Sequence, residues 1–175
     1  MAIDQEREFK PINIALLTVS DTRTPENDTS GDILAERIAN AGHRLAARTI
    51  VRDDVATLVD LLDSWIDDEG IDAIVSTGGT GLTGRDVTPE ALDRIKDKDI
   101  PGFGELFHWL SYKTIGTSTV QSRALAVLAR GTYIFALPGS NGAVKDGWDG
   151  ILAEQLDSRN RPCNFVELMP RLREQ

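Results

Sequence analysis

One cysteine, Cys163, stands among 175 residues, so no internal disulfide can form. That fits a reducing compartment, and a cytoplasmic location is expected. Histidine is nearly as scarce. His43, His108 and Cys163 make no convincing zinc set, and each reads as structural or surface. No apolar run approaches the ~20 residues of a membrane-spanning helix. The opening MAIDQEREFKP mixes acids and bases and lacks an apolar segment, so it does not read as a secretory signal. Positive charge is in deficit: 19 Lys and Arg face 28 Asp and Glu, a formal net charge of −9. Such a surface repels nucleic acid, whose binding rests on phosphate neutralisation. A phosphate-bearing ligand would have to be held locally, by backbone N–H groups, a few cations or a bridging metal.

What is present is an ordinary globular composition, 41% hydrophobic and 27% charged. The length suits one domain spanning 1–175, with an N-terminal arm at 1–11 and a tail at 157–175. The tail reads as a short helix or an arm to a neighbouring subunit. Buried strands are expected at Ile12–Val19 and Gly131–Leu137, a weakly alternating strand at His43–Val51 and a further strand at Ile71–Ser76. Helical spacing marks Gly31–Ala41, Asp54–Glu69, a helix capped by Thr88 with Pro89 at its first position, Glu105–Lys113, Thr119–Ala129 and Ala143–Leu156. Ile100–Gly104 reads as a break. Alternating strands and helices predict an α/β fold with a mostly parallel sheet covered on both faces. In such sheets ligands sit beyond the carboxyl ends of the strands. Three polar loops should gather there: Ser20–Gly31, Thr77–Val87 and Pro138–Gly142.

The middle loop holds four glycines within Gly78–Gly84. That costs backbone entropy, which close approach to a ligand would offset. Gly79–Gly84 matches the dinucleotide spacing GxGxxG, but the helix signal starts four residues after the last glycine rather than inside the motif. It also has the GxxxxG spacing of a phosphate-binding loop. Arg85 and Asp86 then stand where Lys and Ser or Thr are needed. A third reading keeps what is there. Backbone N–H groups of Gly78, Gly79, Thr80 and Gly81 form an anion cradle, with the Thr77 and Thr80 hydroxyls as donors. Arg85 reaches phosphate, and Asp86 holds a magnesium ion that bridges phosphates.

Further segments fit one family. Thr18-Val-Ser-Asp21, Asp28-Thr-Ser-Gly31, Gly78-Gly-Thr-Gly-Leu-Thr-Gly-Arg-Asp-Val-Thr-Pro-Glu-Ala91, Pro101-Gly-Phe-Gly-Glu105, Gln121-Ser-Arg-Ala124 and Leu137-Pro-Gly-Ser140 run in order along nearly the whole chain. In this the sequence resembles the MoaB/Mog family of molybdopterin-binding proteins. Its ending Leu156–Phe165 and Ile115–Thr119 resemble the MoaB branch. The resemblance implies a three-layer α/β/α sandwich assembled as a trimer or a dimer of trimers, in contact with other proteins of the cofactor pathway. It implies an enzyme that uses Mg2+ and ATP to adenylylate molybdopterin and releases pyrophosphate. A non-catalytic molybdopterin binder or carrier is the alternative, and an oligomeric scaffold a third.

Two aspartates matter in active members of that family. They map onto Asp53, in Val51-Arg-Asp-Asp54, and onto Asp86. Arg52 replaces the proline of the first motif. Both would be magnesium ligands; the structural alternatives are a helix N-terminal acid and a loop-capping acid. Ser20 and Asp21 leave the first strand toward the same edge. Ser118 and Thr119, at an expected helix start, suit the pterin phosphate. Ser122 and Arg123 follow, Arg123 as a phosphate or dithiolene ligand. Pro138, Gly139 and Ser140 form a wall, with Lys145 and Glu105 as weaker candidates. Trp65 and Trp109 read as core or interface.

Overall fold

The structure, a computed structural model, describes residues 3–174. Met1 and Ala2 of the expected arm and Gln175 of the expected tail lie outside them. In chain order the elements are β1 (Asn13–Val19), α1 (Thr29–Asn40), β2 (Arg44–Val51), α2 (Val55–Ile66), β3 (Ala73–Thr77), α3 (Thr88–Ile95), β4 (Lys98–Asp99), α4 (Pro101–Ile115), β5 (Leu125–Ala129), β6 (Thr132–Leu137), α5 (Asn141–Gly147), α6 (Ala153–Gln155) and α7 (Phe165–Leu168). A 3-10 segment, Gly116–Gln121, follows α4, and a π turn, Trp148–Leu152, joins α5 to α6.

The sheet order is β2-β1-β3-β6-β5-β4. Its first four strands are parallel, and β5 runs antiparallel between β6 and β4. Strand side chains alternate between two cores. Ile14, Leu16, Val75, Phe135 and Leu137 face α1, α4 and α5. Leu17, Val19, Ile74, Ile134 and Ala136 face α2 and α3. Helices on both faces make the expected α/β/α sandwich. The N-terminal arm and C-terminal tail of the one chain pack together: Arg7 pairs with Glu167, and the Ser158 hydroxyl donates to the Glu8 carbonyl while accepting from the Lys10 N–H.

The expected helix at Thr119–Ala129 is not formed. Its first residues extend α4 as the 3-10 turn, and Leu125-Ala-Val-Leu-Ala129 is β5. A five-residue apolar run has no period that separates buried helix from buried strand. The hairpin turn decides. Arg130 (φ 47°) and Gly131 (φ 88°) both take left-handed backbone between the paired Ala129 and Thr132, as a two-residue primed turn requires. The expected break at Ile100–Gly104 is instead the first turn of α4, with Pro101 in the opening turn. Gly104 is needed there because a Cβ would lie 2.7 Å from the Ala124 carbonyl oxygen. Thr88 is the first residue of α3 rather than its cap.

Candidate functional site

The ends of β1, β2, β3 and β6 adjoin along the carboxyl edge of the sheet, and each contributes a loop. Ser20 and Asp21 leave β1, Asp53 leaves β2 just before α2, the glycine loop leaves β3, and Pro138-Gly-Ser140 leaves β6. The gathering of loops expected from the sequence is therefore present. A groove of about 660 Å³ opens beside Ser20, between the Asp21–Pro25 turn and the Arg48–Arg52 end of β2.

The glycine loop is shaped by contacts to its carbonyls. The Thr88 hydroxyl donates to the Gly78 carbonyl at 2.9 Å, and the Thr88 N–H donates to the Gly79 carbonyl at 3.0 Å. In a planar trans peptide the next residue's N–H points opposite to the carbonyl. Thr88 therefore turns the N–H groups of Gly79 and Thr80 away from α3. Neither has an acceptor among the described residues. The Gly78 N–H does not join them, because it donates to the Leu137 carbonyl at 2.9 Å. The cradle is thus narrower than the sequence predicts.

Two carboxylates flank it. Asp53 is half-buried, and its Oδ1 lies 3.3 Å from where a Cβ on Gly79 would stand. Burial, and then the charge of Asp86, push the Asp53 carboxyl up from its ordinary range. Asp86 is held below that range, first by the Thr83 hydroxyl. The Thr83 N–H and hydroxyl both donate to Oδ2 of Asp86, at 2.8 and 2.6 Å. Among the described residues no group of three or more His, Cys, Asp and Glu is placed to hold a metal alone. Magnesium does not require one, since it is usually held by one or two carboxylates with substrate phosphates and water.

Other expected site residues are already engaged within the protein. The Thr77 hydroxyl donates to the Pro138 carbonyl at 3.2 Å. The Ser20 hydroxyl accepts from the N–H groups of Thr22 and Arg23, a local turn. Ser140 caps α5 through the Ala143 N–H. Gly139 packs against Gly78, with 3.3 Å between its would-be Cβ and the Gly78 Cα. The Ser122 hydroxyl accepts from the Ala124 N–H. Ser118 is exposed on the 3-10 turn, so no helix start lies there to receive a phosphate. Trp65 is buried, and Trp109 is exposed with the Lys113 ammonium 3.2 Å from its ring centre. His43 is buried, and His108 meets the Ser122 carbonyl.

Arg85 pairs with Asp21, joining the glycine loop to the β1 loop. The Arg85 side chain is 69% exposed, so this contact is weak and exchangeable. A double-mutant cycle of Asp21→Asn and Arg85→Gln is expected to give a coupling below about 1 kcal/mol. In thermal or urea unfolding it should vanish at high salt; coupling that survives salt would mean a structural bridge.

Sequence reasoning missed three residues. Thr88 shapes the cradle, Thr83 holds Asp86, and Glu90 pairs with Arg123. Glu90 sits in the first turn of α3, inside the Gly78–Ala91 motif, but nothing local names Arg123 as its partner. Asp28 is a buried anchor of the loop after β1. It has no exposed surface, accepts from the Thr18 hydroxyl and the Gly31 N–H, and pairs with Arg48.

A mostly parallel sheet whose strand ends bring together two backbone N–H groups, free among the described residues, and two carboxylates defines an α/β sandwich with its candidate site at the carboxyl edge. A family profile described as "Probable molybdopterin binding domain" matches residues 15–158, and the chain belongs to that family. It is 47% identical over 158 residues to molybdenum cofactor biosynthesis protein B of Escherichia coli K12, covering 90% of this chain and 93% of that one. A crystal structure of a molybdenum cofactor biosynthesis protein B superposes with a TM-score of 0.86 at 35% identity, covering 97% of this chain and all of that one. The Mog protein of Mycobacterium ulcerans superposes at 0.77 with 27% identity, over 95% and 100% of the two chains.

Proposed function

We propose that the chain works in molybdenum cofactor biosynthesis as a molybdopterin adenylyltransferase. The observation that carries this reading is the convergence of two carboxylates on an anion cradle. Burial first, and then the charge of Asp86, makes ionisation of Asp53 costly, while hydrogen bonds keep Asp86 ionised beside it. A phosphate among them would add to the repulsion, and a divalent cation removes it. The residues present therefore fit magnesium, which Asp53 and Asp86 would hold. When bound, it supplies neutralising charge to the phosphates of ATP.

The reaction needs little covalent chemistry from the protein. A molybdopterin phosphate oxygen bonds to the α-phosphorus of ATP, and the bond from that phosphorus to pyrophosphate breaks. Positioning and charge stabilisation carry the rate. The N–H groups of Gly79 and Thr80 orient a phosphate, and Arg85 is free to leave Asp21 for an incoming anion. Assembly with like chains belongs to the same reading. The exposed Trp109, Tyr112 and Ile115 of α4 offer an apolar face for it.

Purified protein with molybdopterin, ATP and magnesium should yield adenylyl-molybdopterin and pyrophosphate. Yield equal to a no-enzyme control would sink the reading. A non-catalytic binder is the second reading, favoured by one observation: Thr83 already occupies Oδ2 of Asp86. Thermal unfolding separates the two. Mg-ATP at tenfold its Kd should stabilise an adenylyltransferase by about 1.4 kcal/mol. A binder without a nucleotide site should show no shift.

A further inference from the structure

Arg123 stands on the link between the 3-10 turn and β5, directly behind the glycine loop. Its backbone N–H donates to the Thr80 carbonyl at 2.8 Å. Its Nε donates to the Gly81 carbonyl at 2.8 Å, and Nη2 to the Asp86 carbonyl at 2.7 Å. Glu90 of α3 takes the outer edge of the guanidinium through both carboxylate oxygens. One residue thus grips three carbonyls of one loop. The planar fork takes the Gly81 and Asp86 carbonyls together with Glu90, and a single ammonium cannot span the same acceptors.

We propose that Arg123 is a positioning residue that sets the Asp86 carboxylate, not a residue that binds the substrate. The Arg123 main-chain N–H holds the Thr80 carbonyl whatever the side chain, and the guanidinium adds the hold on the Gly81 carbonyl that a substitution removes. Gly81 is the loop residue that lies against the Asp86 carboxylate. A Cβ on Gly81 would lie 2.7 Å from Asp86 Oδ2, which shows how closely the two approach. Nη2 fixes the same residue from its other side, at the main-chain carbonyl. The guanidinium has spent its donors on the loop and on Glu90, so little of it remains for a ligand. This role rests on the adenylyltransferase reading for its effect on rate, but not for its effect on the loop.

Arg123→Lys keeps the charge and loses the fork. Amide hydrogen exchange in the segment 77–88 is expected to accelerate by about tenfold or more, with the rest of the sheet unchanged. The magnesium concentration for half-maximal adenylyl transfer should rise, and kcat should fall by about tenfold or more. KM for molybdopterin should change less than twofold. Exchange in 77–88 equal to the wild type would overturn the proposal. So would faster exchange with unchanged magnesium dependence, or a Lys variant whose only defect is KM, the mark of a direct ligand. Should Arg123→Lys fail to fold, Glu90→Gln tests the same strut with smaller changes in the same direction. Faster exchange in a protein whose wild type makes no adenylyl-molybdopterin would sink the reaction and leave the strut standing. An active wild type with an unaltered Lys variant would do the reverse.

Discussion

Asp53→Asn is expected to lower adenylyl transfer by roughly 10²- to 10³-fold, the loss typical of removing one preorganised electrostatic contact from a reacting centre, here the magnesium that Asp53 would hold. Molybdopterin should still bind, because Asp53 approaches the cradle at Gly79 and Asn is nearly isosteric. Asp86→Asn should lose turnover in the same way. The upward shift of Asp53 adds a second expectation. In the metal-free protein the Asp53 carboxyl should titrate above the ordinary carboxylate range near ~3.9, and added magnesium should lower it. Stability follows the same shift. The folded state holds the Asp53 proton more tightly than the unfolded chain does. Its contribution is full below the unfolded pKa and is lost as pH rises through the raised folded value. At neutral pH the ionised carboxylate is a burden on the fold, so Asp53→Asn should raise Tm as it removes activity. Product formation and thermal unfolding on one preparation check both. Wild-type turnover in the Asn variant would end the metal-ligand role, and a lowered Tm would mean that Asp53 is a structural acid.

The sequence made the sheet and the gathering of loops at its carboxyl edge legible because both depend on local patterns. Buried strands write continuous apolar runs, and the loops that follow them write Gly, Asp and Ser. Less legible was whatever depended on a distant partner. Leu125–Ala129 reads as helix until the Arg130-Gly131 turn is seen to fold it back onto β6. Gly102 and Gly104 read as a break until Gly104 meets the Ala124 carbonyl. Arg123 reads from the sequence as a phosphate or dithiolene ligand, and the sequence says nothing of its contacts within the protein. Its distant acceptors, the carbonyls of Thr80, Gly81 and Asp86, leave no trace in a sequence. The same holds for the Gly78 N–H, which the cradle loses to Leu137.

Gly78→Ala is expected to destabilise the fold by about 3 kcal/mol or more. Two effects add. Gly78 has φ +102°, outside the range an L side chain takes without strain of roughly 1–3 kcal/mol. A Cβ there would also lie 2.2 Å from the Val19 carbonyl oxygen. Val19 cannot yield, because it ends β1 between β2 and β3, and its neighbours Thr18 and Ser20 are tied to both. Gly139 closes the other side. In a chain of this length Tm should fall by roughly 6–12 °C. Gly84→Ala is the control. It has nothing within 4 Å of a new Cβ and no positive φ, so it should stay within about 0.5 kcal/mol of the parent. Gly79→Ala should fall between them: its φ is +65°, but the atom it meets at 2.4 Å is the Thr88 hydroxyl, which can rotate. That rotation releases the Gly78 carbonyl, so Gly79→Ala should lose more ligand binding than its stability loss explains. Urea unfolding of the three variants ranks them. A Gly78→Ala protein as stable as Gly84→Ala would mean that the loop is not pinned between β1 and β6. The cradle would then have to be formed by the ligand rather than waiting for it.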